Sequence, residues 1–127
     1  MKSMALVFLL LFSVRAAATD FRLLQLNKTF VEDMSDKDAA ALSADPNAVK
    51  AKKVETLKLK AGDKLTFANR DIAAHNINAT AGADTVFDFG LQPPGAANDR
   101  SFEFKKKGEF EVRCAIHPKM KLKVVVD

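Results

Sequence analysis

Residues Glu111 to Met120 read EVRCAIHPKM and place Cys114, His117 and Met120 at three-residue intervals near the C-terminus. Cys114 is the only cysteine, His117 is one of two histidines, and Met34 is the only other methionine beyond residue 18. A thiolate and a neutral imidazole are both good ligands for a transition metal, and a thioether adds a weak, soft one. A fully extended three-residue step spans no more than about 10 Å, so a tight loop can turn all three side chains toward one point. Pro118 biases His117 toward an extended or turn conformation, which argues against a helical origin for the spacing.

The remaining histidine, His75, lies in NRDIAAHNIN. Two histidines and a cysteine with a long axial methionine form the ligand set of a blue-copper electron-transfer centre. The chain would then commit all of its Cys and His to one set, which is the strongest internal argument for it. Taken singly, each residue has a plainer reading, Cys114 as a small buried hydrophobe above all. Other chemistries fit less well. Haem attachment needs C-x-x-C-H, and the second cysteine is missing. A structural zinc site needs four strong ligands, and methionine is a poor one. A Cys-His hydrolase needs an orienting Asn or Asp and an oxyanion hole, which the spacing does not supply.

The compartment sharpens the case for Cys114. Lys2, an apolar run from Met4 to Val14 and Ala16-Ala17-Ala18 have the layout of a cleavable secretory signal. The run is too short to span a bilayer. The expected mature chain is therefore one domain, residues 19–127, long enough to bury a core. An exported thiol without an internal partner should be paired between chains, reactive or held by something. Loss of Lys2 and Arg15 takes the formal charge from +4 to +2, a mild balance that does not argue for nucleic acid.

The elements that must position these residues read mostly as short strands. Phe21 to Leu26 is an apolar opening strand. Leu57 and Leu59, a turn at Ala61-Gly62-Asp63, then Leu65 and Phe67 read as a hairpin with one buried face. Ile72 to Thr80 and Thr85 to Phe89 are weaker candidates. Phe102 and Phe104, a turn at Lys106-Lys107-Gly108, and Phe110 and Val112 repeat the alternation, and Lys121 to Val126 closes the chain. The pattern predicts an antiparallel all-β sandwich or barrel. Between Met34 and Val54, Ser35 followed by Asp38 and an alanine run predicts a capped short helix stopped at Asp45-Pro46, with a further helical turn or loop from Asn47 to Lys53. This polar, alanine-rich stretch reads as an excursion outside the sandwich, with Lys50, Lys52 and Lys53 as a solvated face.

The second half of the chain resembles the cupredoxins, the small blue-copper proteins that include plastocyanin, and within them the amicyanin and pseudoazurin groups. The resemblance rests on AGDKLTFANRD, on HNI with His75, on Phe102 and Gly108 leading into FEVRC, and on C-x-x-H-x-x-M from Cys114 to Met120. It covers residues 54–127 well and Phe21 to Phe30 loosely. It implies a Greek-key β-sandwich with a short helical insertion between early strands, and one type-1 copper held by His75, Cys114 and His117 with Met120 axial. Asn76 matches a position that in the family hydrogen-bonds toward the cysteine-bearing loop. The implied role is a soluble, monomeric periplasmic one-electron carrier, not an enzyme. Its partners would be transient redox proteins such as a c-type cytochrome or a periplasmic dehydrogenase, with no membrane anchor after signal removal. The alternative is a periplasmic copper chaperone or storage protein using the same ligands. The sequence departs from the family at Lys119 and Lys121, which could steer an acidic partner, at Leu122 where glycine is common, and in the segment Asp33 to Lys53.

Overall fold

The computed structural model describes residues 17–127, so the expected leader lies, except for Ala17 and Ala18, outside the described residues. β1 (Asp20–Leu26) and β2 (Thr29–Val31) form a hairpin whose two turn residues, Asn27 and Lys28, have φ of 46° and 55°. Two left-handed residues in a two-residue loop match the right-handed twist of the strands they join. α1 (Asp36–Ser43) starts where Ser35 Oγ accepts from the Asp38 N–H at 3.1 Å. α2 (Pro46–Ala51) starts where Asp45 accepts from the Asn47 and Ala48 N–H groups, with proline at its first position.

The remaining strands are β3 (Thr56–Leu59), β4 (Asp63–Asn69), β5 (His75–Ala81), β6 (Asp84–Gln92), β7 (Arg100–Phe104), β8 (Gly108–Cys114) and β9 (His117–Val126), with a single 3-10 turn at Ala96–Asn98. They make two sheets, in the orders β2-β1-β4-β7 and β3-β9-β8-β5-β6. Side chains from both sheets, among them Leu23, Phe67 and Phe104 from one and Ile77, Val112 and Val124 from the other, form the core between them. This is a β-sandwich, one of the two architectures the alternation allows and the one the resemblance implies.

Two expectations about pairing are corrected. β3 and β4 are not a hairpin: β3 runs parallel to β9, whereas β4 pairs with β1 and β7 in the other sheet. Ala61-Gly62-Asp63 therefore carries the chain across the sandwich. An alternating pattern has the same appearance whether two strands lie side by side or face each other over one core. Nor is the sandwich purely antiparallel, since β1·β4 and β3·β9 are parallel pairs. Parallel partners are joined through distant sequence, and periodicity carries no record of the partner.

The helical segment does lie outside the two sheets, but it is more than an excursion. Ala39 and Val49 bury themselves with Leu24, Leu26, Val31 and Ala68 in a second cluster, with Met34 and Leu42 packed against it. β1 consequently has apolar residues on both faces, Leu23 toward the main core and Leu24 and Leu26 toward the helices. That explains why its sequence runs apolar instead of alternating. The Val31–Lys53 bridge and the Val54 N–H bond to Phe30 O at 2.9 Å fix the end of the segment back onto β2.

Candidate metal centre

β5 begins at His75 and not at Ile72, and β9 begins at His117 and not at Lys121, so the turn between Cys114 and His117 is only Ala115 and Ile116. The ladder pairs Cys114 with His117 but Arg113 with Lys121. Pro118, Lys119 and Met120 are thus a bulge on β9, and a bulge re-aims side chains. Proline, which cannot donate to a ladder, sits where the ladder is interrupted.

The result is a convergence at one end of the sandwich. His75 Nδ1 lies 2.9 Å from His117 Nδ1, and Cys114 Sγ lies 3.7 Å from the first nitrogen and 3.4 Å from the second. Among the described residues, these three are the one group of His, Cys and acidic side chains with metal-ligand geometry. His75 and Cys114 are buried, whereas His117 is half-buried. Met120 is buried in the same core cluster as Cys114 and shares a groove with His117.

A borderline transition metal takes nitrogen at about 2.0 Å and thiolate sulfur at about 2.3 Å, so a trigonal centre needs N···S separations of about 3.7 Å. The two N···S distances lie at or just inside this spacing, the 2.9 Å between the imidazole nitrogens is closer than the roughly 3.5 Å of a trigonal centre, and the soft thiolate with two imidazoles is a donor set that suits copper.

The support for His75 was not anticipated. Its Nε2 donates to Asp71 Oδ2 at 2.9 Å, which leaves Nδ1 free to face the cluster. Asp71 also accepts from the Lys28 N–H at 2.8 Å, which ties the β1–β2 turn to the site, and from the Ile72 N–H at 2.8 Å. Burial pushes the Asp71 carboxyl up, but the hydrogen bonds from His75, Lys28 and Ile72 together outweigh it and hold the pKa at about 2. Behind Asp71, the buried Asn69 accepts from the Asp71 N–H and donates to Ala73 O, both at 2.9 Å. Asn69 also donates to Gln92 O at 2.9 Å, and the Gln92 side chain joins Gln25 and Phe67 O, so the chain of bonds crosses between the two sheets. An acid four residues before a candidate ligand, as in DIAAH, is a readable signal; nothing marks Gln25, Asn69 or Gln92 before the sheets come together.

Asn76 reaches the cysteine loop through its backbone. Its N–H donates to Cys114 Sγ at 3.3 Å, and its carbonyl accepts from the Ala115 N–H at 2.9 Å. The side-chain amide, with its nitrogen assigned to the side that faces acceptors, instead donates to Asp88 Oδ1 at 2.9 Å and Gly90 O at 3.2 Å on β6. The His117 imidazole is held below its ordinary pKa by desolvation first, then by the charges of His75 and Lys28, with Asp71 opposing. Lys50, Lys52 and Lys53 are all exposed, as a solvated face requires. Lys52 pairs with Glu32 at 3.8 Å, whereas Lys50 and Lys53 line the groove that His117 opens into.

Comparison with known proteins agrees with this geometry. The family model described as copper binding proteins, plastocyanin/azurin family, matches residues 38–127. Amicyanin of Paracoccus denitrificans is 33% identical over 73 residues, 56% of this chain and 54% of its own length. The methylamine utilization protein MauL of Methylophilus methylotrophus is 33% identical over 66 residues, 52% of this chain and 38% of its own. The chain thus spans about half or less of the length of these relatives. A Cu(I) structure of a methionine-to-alanine variant of amicyanin superposes with a TM-score of 0.59 at 19% identity, over 85% of this chain and 82% of that one, a likeness of fold. A second Cu(I) amicyanin variant reaches 29% identity with a TM-score of 0.51, over 60% of this chain and 72% of that one. With the family model spanning the sandwich from α1 to the last strand, and a His-Cys-His cluster at its end, the chain belongs to the copper-binding plastocyanin/azurin family, the cupredoxins.

Proposed function

We propose that this chain is an exported one-electron carrier whose single type-1 copper is held by His75, Cys114 and His117, with Met120 as a weak axial donor. The observation that carries the reading is the asymmetry of the cluster: His75 and Cys114 are buried, and only His117 is partly open to solvent. Copper so held supplies a one-electron Cu(I)/Cu(II) couple. The chain's own part is to keep the ligands still. Asp71 fixes the tautomer and ring orientation of His75, the Asn76 N–H stabilises negative charge on Cys114 Sγ, and the two-residue turn locks His117 opposite Cys114. A cage that moves little on a change of charge favours fast electron exchange.

The exposed edge of His117 is the proposed electron port. The exposed large aliphatic residues among those described are Ile72, Leu91 and Ile116. Ile72 precedes β5, Leu91 pairs with Asn76 in the β5–β6 ladder, and Ile116 adjoins His117, so all three flank the cluster. Such a surface suits brief contact with a periplasmic c-type cytochrome or dehydrogenase. A relative named for methylamine utilization supports a place in methylamine utilization. The mature unit is residues 19–127, working as a monomer.

The test is the visible spectrum of residues 19–127 loaded with Cu(II), beside the Cys114→Ala protein. The expected result is a strong thiolate-to-copper band that bleaches reversibly on reduction and is absent from the variant. Copper that is bound without that band, and passes readily to a competing Cu(I) chelator, would replace the carrier with a copper chaperone or store.

A further inference from the structure

Lysines from separate parts of the chain converge on the groove beside His117. Lys28 comes from the β1–β2 turn, Lys50 from α2, Lys53 from the stretch bridged to β2, and Lys119 and Lys121 from β9. No aspartate or glutamate is among the residues lining this groove. Lys53 alone of these lysines has an ion pair among the described residues, with Glu55 at 3.4 Å. The positive charge is local, since a formal net charge of +4 leaves little general excess and Glu55, Glu109 and Glu111 line the adjoining groove. Holding five like charges around one groove with a single ion pair among them costs stability, and such an arrangement focuses the field on whatever approaches.

The scaffold beneath these lysines is fixed. The Glu32 N–H bond to Lys52 O at 3.2 Å and the Val54 N–H bond to Phe30 O at 2.9 Å hold the Lys53 backbone on both sides. The Lys28 N–H is bonded to Asp71, the anchor of His75. Ile116, 53% exposed, and Pro118 supply apolar contact between the cations and His117. An apolar centre bordered by cations, all but Lys53 without an ion pair among the described residues, is the composition of a transient protein interface that is steered electrostatically.

We infer that this groove, built jointly by the helical segment and the ligand turn, docks an acidic protein partner by receiving a patch of surface carboxylates beside His117. The inference rests on the electron-carrier reading and gives the helical segment a part in it. A flat anionic membrane is the poorer occupant, because the lysines line a concavity whose opening is shared with a half-buried histidine.

The test uses copper-loaded, reduced protein oxidised by ferricyanide, an anion, and by tris(phenanthroline)cobalt(III), a cation. Lys50→Glu/Lys53→Glu is compared with Lys106→Glu/Lys107→Glu, which changes the net charge equally. The second pair precedes β8 at the end away from Cys114, about 20 Å along the strand. At low ionic strength the groove variant should lose about tenfold in rate with ferricyanide and gain with the cobalt complex, while the control changes by less than about twofold. The difference should vanish at high salt. Lys50→Ala/Lys53→Ala, with no new acids, should show the same trend at smaller size. Hexaglutamate peptide should slow the ferricyanide reaction of the parent protein and not that of the groove variant. Equal effects of the two glutamate pairs would overturn the inference. So would indifference to hexaglutamate combined with Lys50- and Lys53-dependent sedimentation with phosphatidylglycerol vesicles. An intact blue band in every variant separates these outcomes from failure of the carrier reading itself.

Discussion

Asp71 receives hydrogen bonds from His75, Lys28 and Ile72, and the first of these sets which nitrogen His75 offers to the cluster. In Asp71→Asn the amide keeps the shape but loses the negative charge and one of the acceptor oxygens. Copper affinity should fall by about 10–100-fold, as measured by competition with a chelator, while the fold by circular dichroism is retained. Asn76 makes the opposite case. Its contacts to Cys114 and Ala115 are made by backbone atoms, which any residue except proline can supply. Asn76→Ala should therefore keep the thiolate-to-copper band in place and cost about 1 kcal/mol of stability through the lost bonds to Asp88 and Gly90, read from denaturant unfolding. A band that shifts strongly in Asn76→Ala would show that the amide itself tunes the thiolate.

At the scale of elements, the two short helices are worth more than their length suggests. α1 and α2 have 8 and 6 residues, too few to be stable alone, so caps and packing must hold them. Ser35→Ala and Asp45→Ala should each cost about 1 kcal/mol. Leu24, fully buried beneath them, should cost roughly 2–5 kcal/mol when changed to alanine. If the helices were a passive insertion, Leu24→Ala would behave as a surface change, within about 0.5 kcal/mol. The first helix was readable from Ser35, Asp38 and the alanine run, because capping acts over three residues of sequence, whereas Asp45-Pro46, expected as a stop, also caps and opens α2. What the helices cover was not, since Ala39 and Val49 become a buried face only when Leu24, Leu26 and Ala68 are brought beneath them.

For the whole molecule, the crossing from β3 to β4 is, like Asp71, one point where pH should be felt. Asp63 accepts from the Thr19 N–H at 2.9 Å and the Lys60 N–H at 2.7 Å, and these bonds hold its carboxyl below its ordinary 3.8. A depressed folded pKa gives stability that is complete above the unfolded value and is lost as pH falls through the folded one. The urea midpoint of the copper-free protein should therefore drop below pH 4, and less steeply in Asp63→Asn, whose amide does not titrate. Identical slopes for the two proteins would place the acid sensitivity elsewhere. Core packing has its own check in Phe67, whose ring centroid lies 6.3 Å from that of Phe30 and 5.9 Å from those of Phe87 and Phe89. Phe67→Ala should cost roughly 3–5 kcal/mol.

By itself the sequence determined the strands and the family of donor side chains gathered near the C-terminus. Cys114, His117 and Met120 lie within one short stretch, so their nearness needs no long-range information, and period-two alternation marks a strand wherever its partner lies. The tertiary structure alone decided which strand meets which: that β3 joins β9, that Gln92 of β6 reaches Gln25 and Asn69 across the core, and that Lys50 of a helix stands in one groove with Lys119. These are contacts between residues distant in the chain. Local propensity is blind to them because their energy is gained only when the sheets and the helical segment have packed together.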